Sequence, residues 1–497
     1  MTSHDSPVAT DNQTKPFLGM YVHMHWGYNH PYAARTWSLA DWTGYANGLK
    51  ALGYNLIMIW PMTETMPYPP TPSDLAHLTK IQGVIEMLHG IGMQAIICVA
   101  PNTVANAQAA HYPFESRPFF KCDARLDPAN SQEMDRMMEI RHGLLSYLRN
   151  ADGIAVIDSD PGGYIGSTNA EFTALLWRYV ELVKELNPQA KLYYWQWVGW
   201  ESYNRFWAAS QKSSAPVQIE FSKNDCLEVV KALLAKPQEP WALFRGIHLH
   251  QEVINETGTA ARSVFFQYSV VEGEPTYPLT NYNPKHVEDA LRNYRLETTG
   301  LGAMTNAQSH ALQQPNTYAY AHFAQGKAAG NLDFAWLANQ MIPGSGRLLA
   351  RAWDAIGARD TTRMRRLAGD VTAAAKEDYP AGPLGGLLFG SAARYLDDLA
   401  LQLNFRAALL DFRTAVETHS DVHAARLTLA QDWTLWKQRT GFVDGFCGPV
   451  YDEFSQAAKA LHEPEMDKVL ADFDNWQDPS IRHGIVNRLI NALTAAA

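Results

Sequence analysis

Two carboxylates one residue apart, Asp158 and Asp160, stand directly before Pro161-Gly162-Gly163, at the end of the apolar run Gly153–Ser159. Residues i and i+2 at the end of a strand point the same way. Two acids so placed repel, and one can hold its proton near neutral pH. A proton donor beside an ionised carboxylate is what cleavage of a glycosidic bond requires. The Pro-Gly-Gly that follows forces a tight turn and lets a ligand approach the backbone. The plainer alternative is that one Asp caps the next helix or pairs with an arginine while the other is solvated.

Aromatic residues make the second argument. The chain has 15 Trp, 22 Tyr and 19 Phe, many of them where apolar runs end. Sugars present flat C–H faces that stack on indole rings, and their hydroxyls need flanking polar groups. In Tyr193-Tyr194-Trp195-Gln196-Trp197, the side chains of Trp195 and Trp197 share a face, and Trp60 ends another run. Core packing is the other reading of such a stripe. His23-Met24-His25 has the spacing with which metal-dependent hydrolase barrels begin their metal site. Such sites need further histidines on later strands and an Asp on the eighth, where this chain has Met304-Thr305-Asn306. The other close pair, His248 and His250, lies in a stretch of no clear period. The expectation is therefore no metal and no cofactor, with His23 or His25 bonding a sugar hydroxyl or orienting a carboxylate. Arg35, just beyond, either caps the first loop or grips an acidic sugar, since guanidinium binds carboxylates bidentately.

These residues must be positioned by a repeating unit of apolar run, polar stretch and helical pattern. The apolar runs are Phe17–His25, Asn55–Trp60, Gln94–Ala100, Gly153–Ser159, Leu192–Trp197, Val217–Phe221, Val264–Tyr268 and Gly302–Asn306. Their length and composition fit buried parallel strands. Eight such strands alternating with helices predict a (β/α)₈ TIM barrel. Helix starts are expected at Ser38, Ser73, Asn130 and Asn283-Pro284, and stops at Gly53 and Asn187-Pro188. Barrel enzymes work at the C-terminal ends of their strands. That rule adds Trp26, Glu64, Asn102, Tyr164, Glu220, Gln267 and Asn306 to the candidates. Glu252 joins them from Glu239–Thr259, which fits neither period. Glu220 and Asp158 compete for the role of second carboxylate beside Asp160.

After Asn316 only helical periodicity remains, so an all-α C-terminal domain is expected over residues 316–497, behind a barrel over 16–315 and a disordered tail over 1–15. Gly382, Gly385, Gly386 and Gly390 lack the spacing of a phosphate loop and read as a connection between helices. A formal net charge of -10, without a basic run, disfavours nucleic acid and anionic membrane surfaces. Cys98, Cys122, Cys226 and Cys447 show no paired spacing, which points away from a disulfide framework or zinc knuckle. Residues 1–15 lack the features of a signal peptide, and no apolar run approaches the ~20 residues of a membrane span. As written, the chain reads as cytoplasmic, with a carbohydrate as partner and self-association into a homo-oligomer compatible with its composition.

The order of these features resembles the barrel of the β-N-acetylhexosaminidases and their relatives, including the α-glucuronidases. LKALGYNLIMIW (Leu49–Trp60) is similar to that family's first helix and second strand. RLDPANSQEMDRMM (Arg125–Met138) is similar to its Asn-Pro element before the fourth strand. ADGIAVIDSDPGGY (Ala151–Tyr164) occupies the place of the strand that ends in the acidic pair. NTYAYAHFAQGKAAGNLDFAWLANQ (Asn316–Gln340) resembles the first helices of the C-terminal domain. The likeness runs from about Phe17 to Leu349, mostly in layout. It implies an exo-acting glycosidase. The family's adjacent Asp-Glu is Asp-Ser-Asp here, so only Asp160 takes the place of the acid. The rival readings are a metal-dependent amidohydrolase-like barrel using His23 and His25, and a sugar-binding barrel without activity.

Overall fold

The computed structural model describes residues 16–497 except 160, 213–216, 247–250, 269, 273–278, 296–299, 443–448, 475–490 and 493–497. Asp160, His248, His250 and the expected tail 1–15 therefore lie outside the described residues. The strands are β1 (Phe17–Val22), β2 (Leu56–Ile59), β3 (Gln94–Val99), β4 (Thr103–Ala105), β5 (Asp123–Arg125), β6 (Gly153–Ile157), β7 (Lys191–Gln196), β8 (Trp241–Gly246), β9 (Ser263–Gln267) and β10 (Gly302–Ala307). Eight of them close into a parallel barrel in the order β1-β2-β3-β6-β7-β8-β9-β10, with β10 pairing back onto β1. β4 and β5 form a separate antiparallel hairpin in the connection after β3.

One expected strand is misplaced. Among the described residues Val217–Phe221 forms no strand, and the sixth barrel strand is β8, in the stretch that fits neither period. Its sequence, Trp-Ala-Leu-Phe-Arg-Gly, hides a buried strand behind one charge. Arg245 points away from the lumen and lays its guanidinium over the Phe265 ring, 4.6 Å from the centroid. A buried cation on an aromatic face is tolerated where periodicity expects an apolar side chain.

The helices between strands are α1 (Leu39–Leu52), α2 (Pro72–Gly90), α3 (Ser131–Leu145), α4 (Asn169–Leu186), α5 (Trp200–Ser210), α6 (Lys223–Leu234), α7 (Gln251–Thr257), α8 (Pro284–Arg295) and α9 (Gln314–Ala324). Ser38 caps α1 in a capping box with Asp41, and Gly53 ends it in the left-handed region at φ 106°. The cap of α2 is Thr71, with Asp74 completing the box and Pro72 at the first position, two residues before the expected Ser73. Asn130 caps α3 by accepting the amides of Gln132 and Glu133.

The lumen is filled with rings. Tyr21 lies 6.4 Å from Trp60, 5.5 Å from Trp195 and 6.0 Å from Phe266, centroid to centroid, joining four strands across the barrel. Large rings in offset and edge contacts pack the interior of a barrel this size solidly.

α9 completes the barrel, since the Tyr320 hydroxyl donates to the Met304 carbonyl of β10 at 3.0 Å. Helices α10 (Phe334–Met341), α11 (Gly346–Gly357), α12 (Thr361–Ala374), α13 (Ala392–Thr418), α14 (Val422–Thr440), α15 (Pro449–Ala460) and α16 (Pro464–Asp474) follow, and among the described residues no strand follows Ala307. These helices share one hydrophobic core with the barrel. They also reach its first loop. The Tyr32 hydroxyl donates to Asp398 of α13, whose carboxylate also meets Arg394 and Arg439. Trp37 and Tyr45 pack on Phe389 at 4.5 and 5.3 Å.

The glycine-rich stretch makes this docking close. A Cβ on Gly386 would stand 2.3 Å from the Gly44 carbonyl oxygen of α1. Backbone cannot yield as a side chain does, so Gly386→Ala is expected to lower stability by about 1–3 kcal/mol, measured by denaturant unfolding. Gly369→Ala, on α12 with no atom near its Cβ position, is the control and should be neutral or stabilising.

Candidate functional site

At the C-terminal end of the barrel, its mouth, side chains from the ends of β1, β2, β7, β9 and β10 come together. β1 runs out at Val22, and the next residues turn His23 and His25 toward each other, Nδ1 to Nδ1 at 2.6 Å. Trp26 stacks on both His23 (6.0 Å, 21°) and Tyr28 (5.9 Å, 11°). Its indole N–H donates to the Gln308 side-chain oxygen, and the Gln308 amide reaches the Tyr268 hydroxyl at 3.3 Å. Tyr268 meets Trp197 edge-on at 4.7 Å, and Trp197 meets Phe221 at 6.4 Å. Phe119, from the connection after β3, covers the His25 ring at 3.8 Å.

Burial, then the charges of His310 and Arg35, lowers His23 to about 3. Burial, then His23 and Arg35, holds His25 well below its usual value. Both rings are therefore neutral at physiological pH, and one N–H lies between them. A neutral pair can donate to one hydroxyl and accept from another, which suits an uncharged polyol.

Beneath the mouth the Trp60 and Trp195 rings are buried and fill the lumen, as core packing requires. Asn306, paired in register with Tyr21, is buried beside them. The Trp195 indole N–H and the Ser159 hydroxyl are buried without a hydrogen-bond partner among the described residues. Ser159 lies two residues past Ile157, which is in register with Trp195, so both atoms belong to the lumen end of the site. Buried polar groups are normally satisfied, and a bound hydroxyl would satisfy these two.

Other candidates are placed elsewhere. The Asp158 side chain turns outward from the barrel and is wholly buried. One oxygen accepts the amides of Trp197 (3.1 Å) and Val198 (2.9 Å), and the other accepts the Tyr194 hydroxyl (2.9 Å). Burial raises it to about 6 against the pull of those bonds. Glu220 is exposed in the connection between α5 and α6, a consequence of the misplaced sixth strand. Glu252 is exposed on α7 and pairs with Lys223 at 2.8 Å. Gln267 points outward and donates to the Ala290 carbonyl of α8. Arg35 is buried, with its donors on the carbonyls of Met24 (2.8 Å), Arg117 (2.9 Å) and His25. Asn102 bonds Leu126 O, Gly163 O and Gly163 N, stapling two loops. Glu64 accepts the Ala100 amide at 2.5 Å and the Trp60 indole at 3.2 Å. Tyr164 is exposed on the rim.

Several residues in or near the mouth escaped the sequence reading. Gln308 lies two residues past Asn306, and strand alternation could have found it. Glu272 accepts the amides of Gln308 and Ser309, but it follows β9 by five residues with no local signal. Asp123 sits in a hairpin that no period announces. Among the described residues no three His, Cys, Asp or Glu gather where they could hold a metal ion, and no helix is long and apolar enough to cross a membrane.

The fold is the barrel-plus-helices arrangement found in glycoside hydrolases. A family 89 glycoside hydrolase from Clostridium perfringens, solved in complex with PUGNAc, superposes with a TM-score of 0.51 at 10% identity, over 97% of this chain and 64% of that one. An O-GlcNAc hydrolase variant from Thermobaculum terrenum gives 0.50 at 8% identity, over 97% and 95%. No protein-family model and no curated protein sequence matches the chain.

Asp158 yields a test of position against chemistry. Its folded carboxyl is raised to about 6, so between about 4 and 6 the native state binds this proton more tightly than the unfolded chain. Its contribution to stability therefore falls as pH rises through that window. Asp158→Asn keeps an acceptor for the two amides and should flatten this slope, with kcat within about tenfold of the parent. Asp158→Ala strands both amides and should cost about 2–5 kcal/mol. Urea unfolding at pH 4 and 7 checks both. A drop in kcat of ~10³-fold for Asp158→Asn, with the fold intact, would return Asp158 to the chemistry.

Proposed function

We propose that this chain is a glycoside hydrolase that removes a terminal sugar, with Asp160 as the proton donor. The observation that carries the reading is the mouth itself. Partly exposed Trp26 and Trp197, a neutral His23–His25 pair and a buried Trp195 N–H converge at the C-terminal end of a barrel of the glycosidase fold. Rings for C–H faces beside uncharged donors and acceptors suit a pyranose better than a nucleotide or an anion. The neighbouring structures support the class of reaction, and one of them, the O-GlcNAc hydrolase, points toward an N-acetylated sugar. Asp160 follows β6, where the acidic pair of the resembling family stands.

Arg35 argues for a neutral sugar. Burial, then Arg117, lowers it to about 9, still protonated at neutral pH, but its donors face main-chain oxygens. The expected result for Arg35→Lys is an equal loss of affinity for neutral and acidic monosaccharides, together with a lower melting temperature. A selective loss for uronic acids, measured by calorimetry, would restore the acidic-substrate reading.

A panel of aryl glycosides tests the activity. Asp160→Asn is expected to lower kcat at least ~10²-fold on poor leaving groups, the scale of a lost general acid, with melting temperature nearly unchanged. Full activity of Asp160→Asn on such a substrate removes Asp160 from this role.

A further inference from the structure

A glycosidase that gives up a proton through one carboxylate needs a second, and the structure commits both earlier candidates elsewhere. Asp158 faces outward on Trp197 and Val198 amides, and Glu220 is exposed beyond β7. We propose that Asp123, on the β4–β5 hairpin, is the second catalytic carboxylate of the mouth and acts as its general base. The proposal rests on the glycosidase reading.

Three observations place it there. The hairpin belongs to the connection after β3, on the same end of the barrel as the mouth, and Phe119 just before it packs on His25 and Trp60. Asp123 and Arg125 lie on the same face of β5. Arg125 donates from Nε to the Pro161 carbonyl at 2.8 Å, directly after Asp160, and stacks over Trp207 at 3.9 Å. That face therefore looks across to the loop that carries Asp160. Finally, Asp123 is uncommitted. Glu64, Asp74, Asp158 and Glu272 each accept hydrogen bonds that hold loops together. Apart from its own amide, no donor among the described residues reaches the Asp123 carboxylate, which is half-buried.

The groups that face it are Arg125 on its own strand, Glu64 from the turn after β2, and the neighbouring Cys122 thiol. Burial raises Asp123 to about 6, partly offset by Arg125 and assisted by Glu64. A carboxylate of that basicity is poised to take a proton near neutral pH. In the reaction, Asp123 takes a proton from water as the water oxygen bonds to the anomeric carbon. The bond from that carbon to the leaving oxygen breaks, and the oxygen takes the proton of Asp160. Exchange with solvent returns both protons. Attack by water on the face opposite the leaving group inverts the anomeric centre.

The test has two arms. In the first, proton NMR of the first product formed from an aryl glycoside should show the inverted anomer, and kcat/KM should rise with pH through about 6. Asp123→Asn should lose kcat at least ~10²-fold together with that limb, and azide should restore part of the activity of Asp123→Ala as an inverted glycosyl azide. Retention of configuration, or wild-type kcat in Asp123→Asn, overturns the proposal. The second arm needs no turnover. A cationic iminosugar should bind the parent at least ~10-fold more tightly than Asp123→Asn, while a neutral sugar lactone binds both alike. Equal iminosugar binding overturns the assignment of Asp123. If the parent cleaves no glycoside but the iminosugar preference persists, the hydrolase reading fails and the place of Asp123 in the sugar site stands.

Discussion

Long connections at the C-terminal end of this barrel leave many main-chain amides and carbonyls away from water, and these must be bonded. The structure meets that demand with buried charged and polar side chains aimed at backbone. Arg35 gathers the carbonyls of Met24 and Arg117, and Arg141 those of Ala100 and Thr103. Arg117 pairs with Asp74 at 2.6 Å while its Nε serves Ala109. Asp158, Asn102 and Glu272 do the same for amides. Remove one such group and the loops lose their register, because an unpaired buried backbone group costs more than a surface contact returns. The mouth keeps its shape only while this network is intact.

That constraint explains what the sequence revealed of the site and what it concealed. Strand ends are the right place to look for chemistry, and they yielded His23, His25, Trp26 and Trp197, which do meet. They also yielded Asp158, Arg35, Asn102 and Glu64, which look catalytic by type and are bonded to backbone. Nothing in the identity of a buried Asp tells whether its partners are amides or a substrate, since both need a strong acceptor. Asp123 shows the converse. Its hairpin is three residues per strand, too short for any period to register, so the carboxylate left without a structural duty was the hardest to see.

The fold was more legible, because burial imposes periodicity. Seven of the eight barrel strands lie where apolar runs predicted them, and Ser38, Gly53, Asn130 and Pro284 mark helix ends by cap chemistry. The sixth strand failed for a specific reason. Arg245 finds an aromatic face under the outer layer, so β8 carries a charge in a buried position and reads as a surface segment. Val217–Phe221, which lies outside the barrel strands, then stood in for it, and Glu220 inherited a false position at a strand end. One misread residue thus moved both a strand and a catalytic candidate.

The helices after α9 bear on the chemistry through the same economy of buried polar groups. The first loop, which carries His23, His25 and Trp26, is held from outside the barrel as well. Asn29 donates its amide to the Thr440 carbonyl at 2.8 Å, Tyr28 packs on Phe442 at 4.5 Å, and Tyr32 bonds Asp398. Burial raises Asp398 despite Arg394 and Arg439, so the helical layer accepts an electrostatic cost at this junction. The cost is intelligible if it fixes the orientation of the histidine pair. The two Nδ1 atoms stay 2.6 Å apart only while the rings keep their tilt of 53°, and the loop that holds them is anchored on α13 and α14. The helical region is therefore a wall of the site and not an appendage to it.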